Sequence, residues 1–387
     1  MGTEYKDNIV IFKVKTKKEH LRCSSCGSRE VIRQGVKIRD FRAPPIGRKK
    51  VFIRAQIQRL KCKRCRKVIQ EDIEFAEEKK TYTKGFEHYI NDLCRVMAIQ
   101  DVCKIAGIGW DTVKRIEKSY LQKHYSRPRL KDVRYIAIDE FAVQKGHKYM
   151  SVVMDLESGR VLFVGEGKSA ESLELFWKRV RYSGSKIEAM AMDMWPVFMD
   201  AVNRNIPDAK IIFDRFHITK MMNDALSKLR RDLYHEETRL NKRSVIKGIR
   251  WLLLKKEDNL NEETDEKKRL QQALDLNKPL AIAYYLKEEL HLLWSMRSVQ
   301  QAKTFLGRWV AKAYASGITI LKKVANCLLA HRTGIFAWYR YPISTGPLEG
   351  LNNKIKVLKR QAYEYRDKDF FKLKIYAIHN SKYALCG

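Results

Sequence analysis

The sequence predicts a multidomain protein in which a β-rich N-terminal part and a short helical part precede a larger α/β domain. Three patterns support this fold class. Two Cys-x-x-Cys pairs, Cys23–Cys26 and Cys62–Cys65, flank segments in which apolar and polar residues alternate. A helical apolar stripe that is broken by Gly107-Ile108-Gly109 comes next. Short apolar segments that end in Asp then alternate with helical patterns, which is typical of α/β domains.

The composition favours a protein that binds a polyanion. The 387 residues include 78 Lys and Arg against 45 Asp and Glu, a net charge of +33. Residues 1–132 hold 33 of these bases and 16 of the acids, so the first third is the more basic part per residue. Nucleic acid is the simplest partner for such a charge. We find neither an apolar run long enough to span a membrane nor a signal peptide, so no membrane role is expected.

The two Cys-x-x-Cys pairs predict a structural zinc site. Each pair places two thiolates on one ion, and two pairs complete a tetrahedral site with no open position. The segments Glu30–Gln34 and Val51–Ile57 alternate like strands, and Pro44–Gly47 is the expected turn, so the site caps a β ribbon. Free thiols or a redox pair are the alternative. The expected zinc ligands are Cys23, Cys26, Cys62 and Cys65.

Basic residues of the ribbon are candidate phosphate contacts, which position a protein on DNA without reading its sequence. An ordinary solvated face is the alternative. The candidates are Arg48, Lys49, Lys50, Arg54, Lys63 and Arg64, with Arg42 and other bases of the same ribbon beside them. The other cysteines have no partner spacing and are expected to be core or surface thiols. They are Cys94, Cys103, Cys327 and Cys386.

Residues 99–120 predict a helix-turn-helix. Apolar residues recur at helical spacing, stop at Gly107-Ile108-Gly109 and resume from Val113. A plain helical hairpin is the alternative. The second helix is expected to expose residues suited to a major groove, namely Thr112, Lys114, Arg115 and Lys118.

The remaining chain predicts an α/β domain that presents acids at strand ends. The apolar strand 133–138 ends in Asp139, two hairpin strands follow at 148–155 and 160–166, and later strands end in Asp193 and Asp214. Helices at 171–182 and 197–204 separate those later strands. A turn residue is the alternative reading of an acid at such a position.

This order of three hairpin-linked strands followed by α/β units is the ribonuclease H-like arrangement. There the first and fourth strands are parallel neighbours, so Asp139 and Asp193 are expected to face one pocket.

A third acid is expected from the helix that begins at Gly346-Pro347. Its polar face carries Glu349, Asn352, Lys356 and Arg360, which suits a metal beside a phosphodiester. A Glu that serves only the helix dipole is the alternative. Three carboxylates imply Mg²⁺ or Mn²⁺, because hard cations prefer oxygen ligands. A pair of such ions would support displacement at phosphorus.

The chain resembles the DDE transposases of a zinc-ribbon-bearing group of bacterial insertion sequences, the L-three family. The matching motifs lie in family order over nearly the whole chain and read CSSC…CKRC, IDEFAVQKGHKY, AMDMW, DAKIIFDRFHITK and TGPLEGLNNKIK. The resemblance implies that Asp139, Asp193 and Glu349 are the catalytic triad. It also puts His147, Tyr149, Asp214, His217 and Asn352 near the site or its scaffold. Asp214 is the alternative to Asp193 as the second metal ligand. For His217 a structural role is expected, with a catalytic role as the alternative.

The segment 219–340 predicts an inserted all-α domain, because it contains one proline and long charged-apolar patterns. Trp309, Trp338 and Tyr339 of this segment, and Tyr341 just after it, are expected in the core, with base stacking as the alternative. The expected domains are a zinc ribbon at 1–75, a helix-turn-helix at 80–130, a core at 131–218 and 341–387, and the insertion between the two core parts.

The resulting hypothesis is a transposase that binds double-stranded DNA at terminal inverted repeats, and cleaves and transfers strands to target DNA. We expect a homodimer, because two element ends must meet, and a bacterial, cytoplasmic, nucleoid-associated protein. One alternative is a DNA-binding regulator derived from a transposase. Another is a ribonuclease H-like structure-specific nuclease.

Overall fold

The computed structural model describes residues 2–144, 148–238, 240–261 and 264–380. The chain forms two compact units. The first unit comprises Met1–Ser126 and Gln361–Gly387, and the second comprises Arg127–Arg360. Among the described residues, none of the helices combines the length and the apolar character that crossing a membrane requires.

A five-stranded sheet forms the N-terminal part of the first unit. Its strands are β1 (Gly2–Lys6), β2 (Ile9–Lys15), β3 (Val31–Ile46), β4 (Lys49–Cys62) and β5 (Val68–Gln70). The order is β1-β2-β4-β3, and β5 pairs with the far end of β4. Strands β2 and β4 are parallel, and the other pairs are antiparallel.

The turn between β3 and β4 differs from the prediction. Pro44 and Pro45 belong to β3, and the chain reverses at Gly47, whose φ of +59° favours glycine. The prolines are tolerated because β3 is an edge strand and its register shifts between Ala43 and Ile46. Strands β1 and β2 were not predicted from the sequence.

Three helices follow, α1 (Lys84–Val96), α2 (Ile99–Ala106) and α3 (Trp110–Tyr125). The hydroxyl of Thr83 caps α1 by accepting a hydrogen bond from the Phe86 N–H. Helix α2 ends at Gly107, whose φ of +64° permits the left-handed turn into α3. The predicted helix, glycine-containing turn and helix are therefore confirmed.

A C-terminal helix, α14 (Lys368–Tyr376), belongs to the same compact unit. It packs against α3 through a buried apolar cluster that contains Leu121, Phe370, Leu373 and Ala377. The sequence pattern did not indicate this packing.

A second five-stranded sheet organises the second unit. Its strands are β6 (Tyr135–Gln144), β7 (Lys148–Asp155), β8 (Val161–Glu166), β9 (Ala189–Met192) and β10 (Lys210–Phe213), in the order β10-β9-β6-β7-β8. Strands β6, β7 and β8 are antiparallel, whereas β9 is parallel to both β6 and β10. The predicted parallel pairing of the first and fourth strands is confirmed.

Helices α4 (Glu174–Ser183) and α5 (Pro196–Asn205) connect β8, β9 and β10. On α4, Trp177 is buried and Leu175 is 64% exposed. Asp155 accepts a hydrogen bond from the Glu157 N–H in the turn after β7, as expected of a turn residue.

The chain after β10 is helical, and the helices between residues 215 and 337 share one core cluster with Phe213 of β10. Trp309 is fully buried in this core and donates its indole N–H to the carbonyl of Leu286, which confirms its core role. The helices are α6 (Arg215–Glu236), α7 (Leu240–Gly248), α8 (Glu266–Leu276), α9 (Lys278–His291), α10 (Val299–Ala315), α11 (Thr319–Ala330), α12 (Arg332–Ala337) and α13 (Gly346–Gln361).

Candidate functional site

Asp139 lies in the middle of β6, not at its end as predicted. The strand continues to Gln144 because β7 pairs with it over that length. Pairing with β9, in contrast, stops at Ala137. Asp139 is therefore at the point where β6 loses its parallel neighbour, and a half-buried carboxylate is left at that edge.

Asp193 follows β9 directly. The parallel register pairs Ala137 with Ala191, so two more residues bring Asp139 level with Asp193. Neighbouring strands lie about 4.8 Å apart, so the two carboxylates are neighbours at the edge of the sheet where the parallel pairing of β6 and β9 ends. The Trp195 N–H donates a 3.0 Å hydrogen bond to Asp193 Oδ1 and orients that carboxylate.

Helix α13 reaches the same edge through Asn352. The Asn352 amide donates a 2.8 Å hydrogen bond to Asp139 Oδ2. Glu349 is exposed and lies three residues earlier, on the same face of the helix. Side chains at this spacing have Cβ atoms about 5–6 Å apart, so Glu349 is one helical turn from the Asp139 contact.

The charges at this edge are strongly coupled. Burial raises the pKa of Asp139, and Asp193 raises it further, against the Glu140 N–H, His217 and the Asn352 amide, which lower it. Burial beside Asp193 and Asp139 raises the pKa of Glu140 to about 7. Such a shift reflects negative charge that is confined without enough compensation.

Glu140 was not identified from the sequence. Its position next to Asp139 was visible, but alternation along a strand points neighbouring side chains to opposite faces. Its burial beside the two aspartates is a property of the folded chain.

The donor set at this edge fits a hard cation. Glu140 Oε2 and Asn352 Oδ1 are buried and have no hydrogen-bond partner among the described residues. Carboxylate and amide oxygens are ligands that Mg²⁺ and Mn²⁺ accept. In the described part of the chain, however, the only group of three or more acidic, His or Cys side chains with ligand atoms within 4.8 Å of one another is the Cys cluster. Asp139, Asp193 and Glu349 therefore do not close a compact set of ligands.

Both carboxylate oxygens of Asp214 accept hydrogen bonds from neighbouring parts of the fold. It is buried, and its Oδ1 caps α6 by accepting a hydrogen bond from the Phe216 N–H at 2.9 Å. Its Oδ2 accepts from the Thr345 N–H at 2.7 Å and from the Thr345 hydroxyl. Because both oxygens are engaged, Asp193 is the better candidate ligand. Thr345 precedes α13, so Asp214 fixes the start of the helix that carries Glu349.

Other side chains surround the acids. His217, in the first turn of α6, is half-buried and close enough to lower the pKa of Asp139. The Lys168 ammonium is 4.8 Å from the Tyr149 ring centre and 5.6 Å from that of Trp195. Lys168 also lowers the pKa of Glu140, so it provides positive charge at the edge of the acids. His147 lies outside the described residues.

The four expected zinc ligands come together in the first unit. The sulfur atoms of Cys23 and Cys65 are 3.6 Å apart, as are those of Cys26 and Cys62. All four lie within 4.8 Å of one another. A tetrahedron with Zn–S bonds of about 2.3 Å has sulfur atoms about 3.8 Å apart, so the cluster fits zinc.

The pKa values of the clustered thiols are shifted in opposite directions by their neighbours. Burial raises the pKa of Cys23, but backbone N–H groups of Cys26 and Ser25 and neighbouring thiols lower it to a net value of about 7. For Cys26, a backbone N–H of Ser28 is outweighed by burial and three thiol neighbours, and the pKa rises to about 11. A bound metal ion would hold all four sulfur atoms as thiolates.

The other cysteines that the structure describes lie outside this cluster. Cys94 is buried and its pKa is raised by burial, whereas Cys103 and Cys327 are half-buried. These positions agree with the expected core and surface thiols. Cys386 lies outside the described residues.

The basic ribbon candidates differ in exposure. Arg54 is half-buried and forms two hydrogen bonds with Asp40, of 2.8 and 2.9 Å. Arg42 is buried against the rings of Phe52 and Phe86, so it is a core residue and not a phosphate contact. The exposed candidates are Arg48, Lys49, Lys50, Lys63 and Arg64.

Helix α3 does not expose all four expected residues. Arg115 is exposed, Thr112 is half-buried, and Lys114 and Lys118 are half-buried and paired with Asp367. The prediction of full exposure is wrong for these two lysines, because the C-terminal segment packs against α3. On α13, Lys356 and Arg360 are exposed.

Comparison with known proteins gives consistent matches along the chain. A zinc-finger model of the transposases of IS204, IS1001, IS1096 and IS1165 matches residues 20–65. The helix-turn-helix model of transposase family ISL3 matches residues 71–121, and the ISL3 transposase model matches residues 136–375.

Two relatives show the same similarity over most of their length. The chain is 33% identical over 358 residues to the transposase for insertion sequence element IS1001 of Bordetella parapertussis, covering 92% of this chain and 88% of the relative. It is 26% identical over 370 residues to the transposase for insertion sequence element IS1557 of Mycobacterium tuberculosis, covering 89% and 82%.

Among solved structures, the chain is similar to the Drosophila P element transposase strand transfer complex. The TM-score is 0.40 and the identity 9%, with 77% of this chain and 91% of the other covered. This likeness is too weak to support a conclusion about the fold. The family models and the sequence relatives carry the assignment: this chain belongs to the ISL3 (L-three) family of transposases.

Proposed function

We propose that this transposase binds terminal inverted repeats through its zinc ribbon and helix-turn-helix, and that it cleaves and transfers DNA strands with Asp139, Asp193 and Glu349. The observation that carries the proposal is the junction of β6, β9 and α13. Two acids occupy adjacent parallel strands, and Asn352 ties the helix of the third acid to the first.

The protein's own residues have separate roles in this proposal. Asp139, Asp193 and Glu349 would hold the divalent cations, and Asn352 orients the Asp139 carboxylate. Asp214 maintains the position of α13 through Thr345. Lys356 and Arg360, which are exposed on the same helix, contact DNA phosphates next to the site. His217 remains a secondary candidate near Asp139.

Bound Mg²⁺ or Mn²⁺ would supply activation of the attacking oxygen and stabilisation of charge on the leaving oxygen. The donor chemistry of the acids and Asn352 supports this choice of ion. Partial release of the repulsion between Asp139, Asp193 and Glu140 is a further reason for a cation at this edge.

The reaction consists of two displacements at phosphorus. A water molecule attacks the phosphorus atom of the phosphodiester at the element end. The P–O3′ bond of that phosphodiester breaks, and a 3′-hydroxyl is released. That hydroxyl then attacks a phosphodiester of the target DNA, so one P–O bond forms as another breaks. The same acids serve both steps, because both place an attacking and a leaving oxygen on opposite sides of phosphorus.

We also propose how the catalytic domain is organised and how the protein assembles. The sheet order and the alternation of strands and helices support a ribonuclease H-like core, and α6 to α12 are the helices of its insertion. A dimer follows from the need to hold two element ends. DNA as substrate would keep the protein with the bacterial nucleoid.

A strand-transfer assay tests the proposed function. Wild-type protein, Mg²⁺ and labelled duplex with the element end should yield cut ends and joined products, and a duplex with a scrambled end should yield neither. Retention of DNA without cutting would instead indicate a regulator. Cutting without joining would indicate a structure-specific nuclease.

A further inference from the structure

The C-terminal segment places an acid directly on the second helix of the helix-turn-helix. Asp367 Oδ2 accepts a 2.8 Å contact from the ammonium of Lys118 and a 3.0 Å contact from that of Lys114. All three side chains retain solvent access, at 26% for Asp367, 23% for Lys114 and 38% for Lys118. An anion from solution is therefore able to reach this position.

The position of Asp367 is set by packing on either side. Its Oδ1 accepts a hydrogen bond from the Phe370 N–H and caps α14. Lys374 of α14 pairs with the buried Glu117 of α3 at 2.5 Å. These contacts, together with the apolar cluster between α3 and α14, anchor the segment and leave its carboxylate over the lysines.

Lys114 is held in place as well. Its ammonium is 5.2 Å from the ring centre of Trp110 and 5.6 Å from that of Phe370. Burial opposes the charge of Asp367, but Lys118, the Phe370 N–H and Lys114 outweigh it and hold the pKa of this carboxyl well below its usual range. Asp367 is therefore an anion at any physiological pH.

We infer that the Asp367 carboxylate occupies the position that a DNA phosphate would take on Lys114 and Lys118. The C-terminal segment therefore lies within the DNA-binding surface, where its carboxylate competes with DNA for these lysines. A single oxygen bound by two ammonium groups reproduces the contact that a phosphate oxygen makes. The second helix of such a motif is the one that approaches the major groove. This inference rests on the proposed function, in which α3 binds the element ends.

The competition is tested by removing one charge without removing the helix cap. Asp367→Asn keeps a side-chain oxygen for the Phe370 N–H, because Asn caps helices as well as Asp does. Asp369→Asn is the matched control. Asp369 is exposed and has no ion-pair partner among the described residues. Its substitution changes the net charge by the same amount. Both full-length variants are titrated with duplex that carries the terminal repeat, without Mg²⁺.

We expect Asp367→Asn to bind this duplex about tenfold more tightly than Asp369→Asn, because two phosphate contacts no longer require displacement of a carboxylate. Adding Lys114→Gln and Lys118→Gln should remove the gain. The lysine substitutions should also reduce the slope of log Kd against log salt concentration by up to about two. Equal or weaker binding by Asp367→Asn, in protein whose Tm matches that of the control, overturns the inference.

Two further outcomes keep the inference separate from the proposed function. Wild-type protein that binds scrambled and terminal duplexes equally would contradict binding of the repeats by α3. If Asp367→Asn lowers the Tm, Lys114→Gln/Lys118→Gln in the wild-type background decides instead, since Asp367 and its cap stay intact. Unchanged affinity and salt dependence in that double variant would overturn the inference.

Discussion

The side-chain amide of Asn352 donates a hydrogen bond to Asp139 over 2.8 Å, although the two residues are 213 positions apart. This bond connects the middle of a central strand to the helix that carries Glu349. It is the contact through which a late segment of the chain completes a site that earlier strands begin.

Asn352→Ala should reduce cleavage about 10- to 100-fold, the usual effect of losing a residue that orients a metal ligand. It should also cost about 1–2 kcal/mol of stability, because Asp139 loses a buried hydrogen bond. Asn353→Ala is the control, because Asn353 is exposed on the same helix. Cleavage rates and end binding are measured for both. Equal cleavage by the two variants would contradict an orienting role for Asn352.

The pKa of Glu140 predicts how the stability of protein that lacks Mg²⁺ and Mn²⁺ depends on pH. The folded chain releases this proton near pH 7 and the unfolded chain near 4.5, so the folded state binds it more tightly. Stability from this group is complete at low pH and declines as pH rises between these values, by at most about 3 kcal/mol. Glu140→Gln should therefore raise the Tm at pH 8 and leave it nearly unchanged at pH 5.

The measurement is thermal unfolding over this pH range without added Mg²⁺ or Mn²⁺, in protein that retains its zinc. Glu171→Gln is the control, because Glu171 is exposed. Parallel Tm profiles for wild type and Glu140→Gln would show that Glu140 carries no such strain.

The sulfur cluster predicts one structural zinc ion. Cys23→Ser should lose the metal and unfold the ribbon, because the binding energy of a structural zinc is folding energy. Zinc content by mass spectrometry should fall from about one ion per chain to near zero. Limited proteolysis should then cut within residues 20–70. Cys327→Ser, which changes a half-buried thiol outside the cluster, should retain both zinc and protection.

Gly165 predicts a strict steric limit in the central sheet. A Cβ at this position would lie 1.9 Å from the carbonyl oxygen of Ser172 and 2.9 Å from its carbon. Gly165→Ala should destabilise the protein by about 2–3 kcal/mol, because backbone must move. At Gly307, in α10, the added atom would meet no other group within 4 Å beyond the neighbouring backbone of its own helix. Gly307→Ala should stabilise by about 0.5–1 kcal/mol. A Tm for Gly165→Ala at or above that of Gly307→Ala would contradict this packing.

Patterns that act locally were predictable from the sequence. Paired Cys-x-x-Cys motifs indicated the sulfur cluster, and Gly107 indicated the turn before α3. Hydrophobic strands separated by helices indicated the order β6 to β10 and the parallel pairing of β6 with β9. In each of these cases the controlling residues are close in sequence or follow a repeating pattern.

Long-range complementarity was not predictable in the same way. The pairing of Lys114 and Lys118 with Asp367 depends on a C-terminal helix that carries no sequence signal of its destination. The burial of Glu140 depends on where two strands end relative to each other. The bonds from Thr345 to Asp214 depend on a loop that follows a long helical segment.

The central claim is that Asp139, Asp193 and Glu349 act together on DNA and are not scaffold acids. The most direct test compares cleavage with binding for Asp139→Asn, Asp193→Asn and Glu349→Gln on the same terminal duplex, with Asp208→Asn as an exposed control from the same unit. We predict that all three variants lose Mg²⁺-dependent cleavage, bind the duplex within a few-fold of wild type, and have a Tm no lower than that of wild type. Cleavage that survives in any one of them, or binding that falls in step with cleavage, would contradict it.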